Sequence, residues 1–237
     1  MAGSGRPWAT VITAALCALV AAGALATAAS LRNRGSTPAS APDTTLPTTS
    51  GVGVDGCAQR PCTVLATVPV SGYVVELVAD RGNTSGRLRI GGAGASKVIE
   101  ATITGMGAVL GPDSLQCVPS TLVVCLLRGS SNQGMFGQVV VGRGGEWNEL
   151  DQPFQSDAGY LGLADVVPDP GAEIMVAQHR CDRTAVPDCS TTPIYVRVYD
   201  LTSEDRGCTR TYNRLESLPG WPAVTLRSTD VKPANCT

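Results

Sequence analysis

The sequence predicts an all-β, disulfide-stapled ectodomain, sandwich or propeller-like, behind a single N-terminal membrane helix. Three observations carry that expectation. Apolar residues after residue 57 recur with a period of two, the spacing of a strand with one face buried. Clusters of Gly, Pro, Asn and Asp punctuate the chain every dozen or so residues, as short antiparallel strands require. Eight cysteines follow an uncharged apolar run, which reads as a disulfide framework in an oxidising compartment.

The apolar run comes first. From Pro7 to Leu31 there is no charged residue, and the stretch Ala9–Leu25 is built of small and aliphatic side chains. A membrane span needs about 20 apolar residues, so residues 1–31 are expected to act as a signal anchor in the cell membrane, single-pass, with the rest outside the cytoplasm. Ala24-Leu25-Ala26 and Ala26-Thr27-Ala28 also have the small-x-small form that a signal peptidase accepts. Cleavage after Ala26 or Ala28 would make the protein secreted. Residues 32–56 are rich in Pro, Ser, Thr and Gly, too poor in large apolar groups to form a core, and read as a linker or stalk.

Residues 57–237 form the expected β domain. Arg87-Leu88-Arg89-Ile90 alternates, and in Lys97–Thr104 the residues Ile99, Ala101 and Ile103 share one face. Further strands are expected at Thr63–Val68, Tyr73–Ala79, Leu122–Arg128, Gln138–Gly142, Tyr160–Val166, Glu173–Gln178 and Ile194–Leu201, most of them rich in Val, Ile or Tyr. No ten-residue stretch after the linker carries a helical stripe; short turns are expected near Ser203–Asp205 and Leu215–Leu218. Short loops close with least entropy cost, so sequential bridges are expected: Cys57–Cys62, Cys117–Cys125, Cys181–Cys189 and Cys208–Cys236. Each is worth about 2–4 kcal/mol. Cys17 lies in the apolar run without a partner.

Composition narrows the function classes. After residue 34 there are 15 basic and 20 acidic residues, a formal net charge of −5, which leaves no basic face for nucleic acid. A single histidine, His179, leaves little for His-based catalysis. No Gly-x-Ser-x-Gly elbow occurs, and Ser130-Ser131-Asn132 lacks the lysine motifs that would make it catalytic. Paired carboxylates are the one hydrolytic chemistry that counting leaves open, as an envelope hydrolase. The aromatic residues Trp147, Tyr160, Tyr195, Tyr199, Tyr212 and Trp221 either fill the core or present a pair that grips a peptide or glycan. Asn83-Thr84-Ser85 and Asn235-Cys236-Thr237 fit the glycosylation pattern.

The segment Leu163-Ala164-Asp165-Val166-Val167-Pro168-Asp169-Pro170-Gly171-Ala172-Glu173-Ile174 resembles an FG-GAP repeat of the integrin-α type. That resemblance, about 163–201, implies a calcium loop with Asp165, Asp169 and Glu173 as metal ligands. Val167 stands where the family has an aspartate and Gly171 comes one residue late, so the resemblance implies a weakened site and a calcium-supported adhesion module only in degenerate form. In overall plan the chain is similar to anchored or secreted proteins of high-GC actinobacteria, a likeness of architecture that carries no activity. The expectation is therefore a non-enzymatic, extracytoplasmic binding or structural domain without a resident cofactor, in contact with the membrane through its N-terminal helix and with an envelope protein, peptide or glycan, and not with nucleic acid.

Overall fold

A computed structural model describes residues 58–91, 97–119, 121–167, 171–181 and 188–236. The expected membrane segment 1–31, the linker 32–56, Cys57 and Asp169 lie outside the described residues. Among the described residues no helix is long and apolar enough to cross a membrane.

The described chain is all-β, with three antiparallel sheets of consecutive strands. The first holds β1 (Thr63–Val70), β2 (Tyr73–Ala79), β3 (Gly86–Ile90) and β4 (Lys97–Glu100). The central sheet holds β5 (Leu115–Pro119), β6 (Val123–Ser131), β7 (Gly134–Arg143) and β8 (Glu146–Glu149), with β9 (Phe154–Ser156) against the start of β7. The last holds β10 (Leu161–Ala164), β11 (Glu173–His179), β12 (Ile194–Tyr199) and β13 (Asp205–Cys208).

Local chemistry explains the hairpins. Ser71-Gly72 and Gly144-Gly145 both have positive φ at two successive residues, the two-residue turn whose twist matches the flanking strands. In the second hairpin Gly142 lies opposite Trp147, and a Cβ at Gly142 would come within 2.9 Å of the indole. The missing side chain is what lets Trp147 lie across β7.

Side-chain alternation sorts the sheets into layers. On β6, Val123, Cys125 and Leu127 join the core shared with the first sheet, whereas Val124 and Leu126 join the core shared with the last. On β11, Ile174 and Val176 point into that second core, and Met175 and Ala177 into a third, closed by Tyr212, Leu218, Val224 and Leu226 of the C-terminal segment. The first sheet is different. Val75, Leu77, Leu88, Ile90 and Ile99 face inward, while its outer face carries the ion pairs Arg87–Glu100 and Arg89–Glu76, each 3.0 Å.

Polar side chains of the central sheet tie it to both neighbours. Gln138 is 3% exposed; its Oε1 accepts from Thr102 N at 2.8 Å and its Nε2 donates to Glu100 O at 2.8 Å. Gln116 takes both peptide groups of Leu163, donating at 3.1 Å and accepting at 3.2 Å. Arg128 Nη1 donates to Leu161 O. These bonds satisfy backbone groups that would otherwise be stranded at sheet margins.

One strand stops earlier than its sequence pattern. The alternation of Lys97–Thr104 continues through Ala101 and Ile103, both buried, yet the strand ends at Glu100 and Thr102–Met106 is a 3-10 turn. Gln138 takes the Thr102 N–H and the Glu100 carbonyl, and Gly107 closes the turn at φ 85°. The stretch near Ser203–Asp205, read as a turn, leads directly into β13.

Disulfides join Cys117 to Cys125, Cys181 to Cys189 and Cys208 to Cys236. The first pair sits directly opposite in the β5–β6 register, Cα atoms 4.1 Å apart. Cys62 is also disulfide-bonded.

Candidate functional site

Two openings lie against the seam between the central and last sheets. The first is a cleft of about 380 Å³ lined by Leu122, Arg143, Ala172, Glu173, Asp200 and Arg206 among others. It contains the end of the loop that the FG-GAP resemblance singles out. Glu173 starts β11 opposite Ala164 and is 1% exposed. Its carboxylate folds back over the loop, Oε2 accepting from Val166 N at 2.7 Å and Val167 N at 3.4 Å. Asp165 is exposed, and Asp169 lies outside the described residues.

The other acid of the cleft is equally occupied. Asp200 Oδ1 accepts from Thr202 N at 2.8 Å, Thr202 Oγ1 at 2.7 Å and Glu204 N at 2.9 Å. Its Oδ2 meets Arg206 at 3.1 Å. Burial pushes this carboxyl up, but the bonds from Thr202 and Glu204 and the Arg206 charge outweigh it, and the group is held below its ordinary value. A carboxyl stabilised as its anion is a poor proton donor. It pins the β12–β13 turn, where Ser203 has φ 65°.

Among the described residues one group of three metal-type side chains converges, Asp205 with Cys208 and Cys236. The two sulfurs are bonded to each other, so neither is the thiolate a metal needs. Asp165 and Glu173 belong to no such group among the described residues.

The second opening is a groove of two lobes, about 340 and 610 Å³, which share Asp113, Arg128, Tyr160 and Pro222 as a waist. Val109, Met135, Gly159 and Trp221 line the first lobe. Leu163, Val224 and Thr225 line the second. Tyr160 and Trp221 meet with ring centroids 5.8 Å apart, tilted by 52°. Burial raises the Tyr160 phenol, against the charge of Arg128 and a hydrogen bond with the Val224 backbone.

Arg128 holds the waist together. Its Nε donates to Asp113 O at 3.2 Å and its Nη1 to Leu161 O, joining the Gly111–Ser114 turn to β10. The Asp113 side chain is exposed, and among the described residues nothing bonds to its carboxylate. Sequence reading named Tyr160 and Trp221 as aromatic candidates. Arg128 enters the sequence pattern only as the end of a strand, and Asp113 only as one of the Gly, Pro and Asp residues that punctuate the chain.

The remaining candidates are placed as follows. Trp147 is buried edge-on to Tyr73, 5.4 Å between centroids, and Tyr212 is buried beneath the Arg210 guanidinium, 5.0 Å away. Tyr199 packs on Phe154, and the Tyr195 hydroxyl donates to Gln178 at 3.0 Å. His179 Nδ1 lies 3.0 Å from Thr192 O, and its backbone N–H donates to Asp157 at 2.8 Å, so it braces the loop beside the Cys181–Cys189 bridge. Two acids, Glu149 and Asp151, line a cavity of about 350 Å³, where Glu149 accepts a 2.7 Å bond from Gln138.

No family model, curated protein or solved structure matches the chain.

Proposed function

We infer that this is a non-enzymatic, extracytoplasmic binding domain, held at the cell membrane by its N-terminal segment, whose ligand enters the groove beside Tyr160 and Trp221. The observation that carries this reading is the contrast in how polar groups are used. The cleft acids Glu173 and Asp200 accept hydrogen bonds from their own chain, and Glu149 does so from Gln138. The groove joins an aromatic pair to an exposed carboxylate that nothing bonds among the described residues. Aromatic and arginine side chains at a concave site are the usual anchors of recognition.

The extracytoplasmic placement draws support from the disulfides, which persist in oxidising compartments, and from the uncharged run that precedes them. Of the two architectures the sequence leaves open, three antiparallel meanders, two of four strands and one of four with β9 added, favour the propeller-like one, whose repeat is a four-stranded sheet.

The test uses the full-length protein with soluble peptide and glycan oligosaccharide probes. Mass spectrometry should return the probes intact while the Trp221 indole resonance moves with one of them. Probe cleavage that disappears in Glu149→Gln would replace the binding reading with the envelope-hydrolase one.

A further inference from the structure

We propose that the groove takes a short extended peptide with apolar side chains, rather than a sugar; this rests on the reading of the groove as the ligand site. The Asp113 carboxylate offers acceptors, and Arg128 uses Nε and Nη1 on the walls, leaving its Nη2 outside both of those bonds. Both residues line both lobes, so the waist carries an acceptor and a donor. A peptide unit presents the complement, one N–H and one C=O.

On either side the character changes. Val109, Met135 and Trp221 on one side, and Leu163 and Val224 on the other, give walls dominated by carbon. Val109 is 48% exposed, so its side chain is available at the mouth. An extended chain has its polar groups along the backbone and throws successive side chains to opposite sides. That pattern fits a polar waist between two apolar lobes.

A sugar ring fits less well. Its hydroxyls radiate on all sides and each needs a partner when buried, and the lobes offer only Ser114 and Ser130 on one side and Gln116, already bonded to Leu163, and Thr225 on the other. It also stacks on an open aromatic face, whereas the Trp221 ring is tilted against Tyr160. The charge at the waist is balanced between Asp113 and Arg128, which favours a neutral, dipolar segment over a strongly basic or acidic one.

The experiment titrates full-length protein with the capped peptide acetyl-Ala-Val-Pro-Val-Ala-amide and separately with chitotetraose, reading the Trp221 indole resonance. Saturable movement with the peptide alone is expected. Asp113→Asn should weaken it about five- to tenfold, as for turning one charge-assisted bond into a neutral one, and Val109→Glu should abolish it. Both substitutions are at exposed positions, and an unchanged unfolding midpoint will show that the fold is intact. Movement with chitotetraose alone would keep the groove as the site and overturn the peptide assignment. No movement with either probe at millimolar concentration would overturn both. Peptide binding indifferent to Asp113→Asn and Val109→Glu would place it elsewhere and sink the proposal.

Discussion

The cleft and the groove flank the same seam, yet they use polar side chains in opposite ways. In the cleft, Glu173 accepts from the Val166 and Val167 amides, and Asp200 gathers the β12–β13 turn and the Arg206 charge. In the groove, Arg128 and Gln116 do the structural tying, and the Asp113 side chain is left exposed. The difference teaches that a cavity rich in acids need not be a chemical site. Where each carboxylate replaces a backbone partner, its removal costs stability. Where a carboxylate bonds nothing among the described residues, as at Asp113, the proposed binding role predicts that its removal costs recognition and not stability.

Substitutions that break this contrast rank by size. The largest effect is expected for Glu173→Ala, which strands the buried Val166 N–H and empties a 1% exposed position; a loss of about 3 kcal/mol should appear in urea unfolding, with probe binding unchanged. Asp200→Ala should cost about 2 kcal/mol above pH 5. Its carboxyl is held below the ordinary Asp value in the folded state, so its contribution is present above that ordinary value and is lost as pH falls through the folded one. The stability gap between wild type and variant should therefore narrow as pH falls through that folded value, and a gap unchanged by acidification would refute the assignment.

Arg128→Met sharpens the contrast because this residue belongs to both accounts. Losing its bonds to Asp113 O and Leu161 O should cost about 1–2 kcal/mol and weaken the peptide as well. Val109→Glu is expected to change stability by no more than about 0.5 kcal/mol, as at most exposed sites. A larger loss would mean that Val109 supports the fold and does not merely line the lobe.

Much of the layer order is written in the apolar pattern. Val123-Val124-Cys125-Leu126-Leu127 is a continuous apolar run because β6 is covered on both faces. Arg87-Leu88-Arg89-Ile90 alternates because the outer face of the first sheet carries ion pairs and no second layer among the described residues. The short strands β8, β9 and β13 read Glu-Trp-Asn-Glu, Phe-Gln-Ser and Asp-Arg-Gly-Cys, with little β signal of their own; they are strands because β7 and β12 offer them a ladder. The 3-10 turn at Thr102–Met106 was hidden for the converse reason, since the Gln138 amide that displaces the ladder comes from 36 residues away.

The site was legible only in part. Tyr160 and Trp221 stand out as large flat residues in a chain with only 4% aromatic residues. Nothing local marks Asp113, because its neighbours Gly111-Pro112 announce a turn and its relation to Arg128, Tyr160 and Pro222 exists only after three elements have packed. Glu173 is the converse case. Its spacing from Asp165 suggests a trailing metal ligand, and the structure shows its buried carboxylate accepting the loop amides.

The division of labour between the acids is most directly tested by titrating Asp113→Asn and Asp200→Asn with the capped peptide and recording the Trp221 indole resonance, with each variant's unfolding midpoint measured on the same sample. The expected result is a five- to tenfold loss of affinity at an unchanged midpoint for Asp113→Asn, and wild-type affinity with a lowered midpoint for Asp200→Asn. A lowered midpoint with undiminished affinity for Asp113→Asn would contradict the account, because it would make the groove acid structural and leave the groove without its polar anchor.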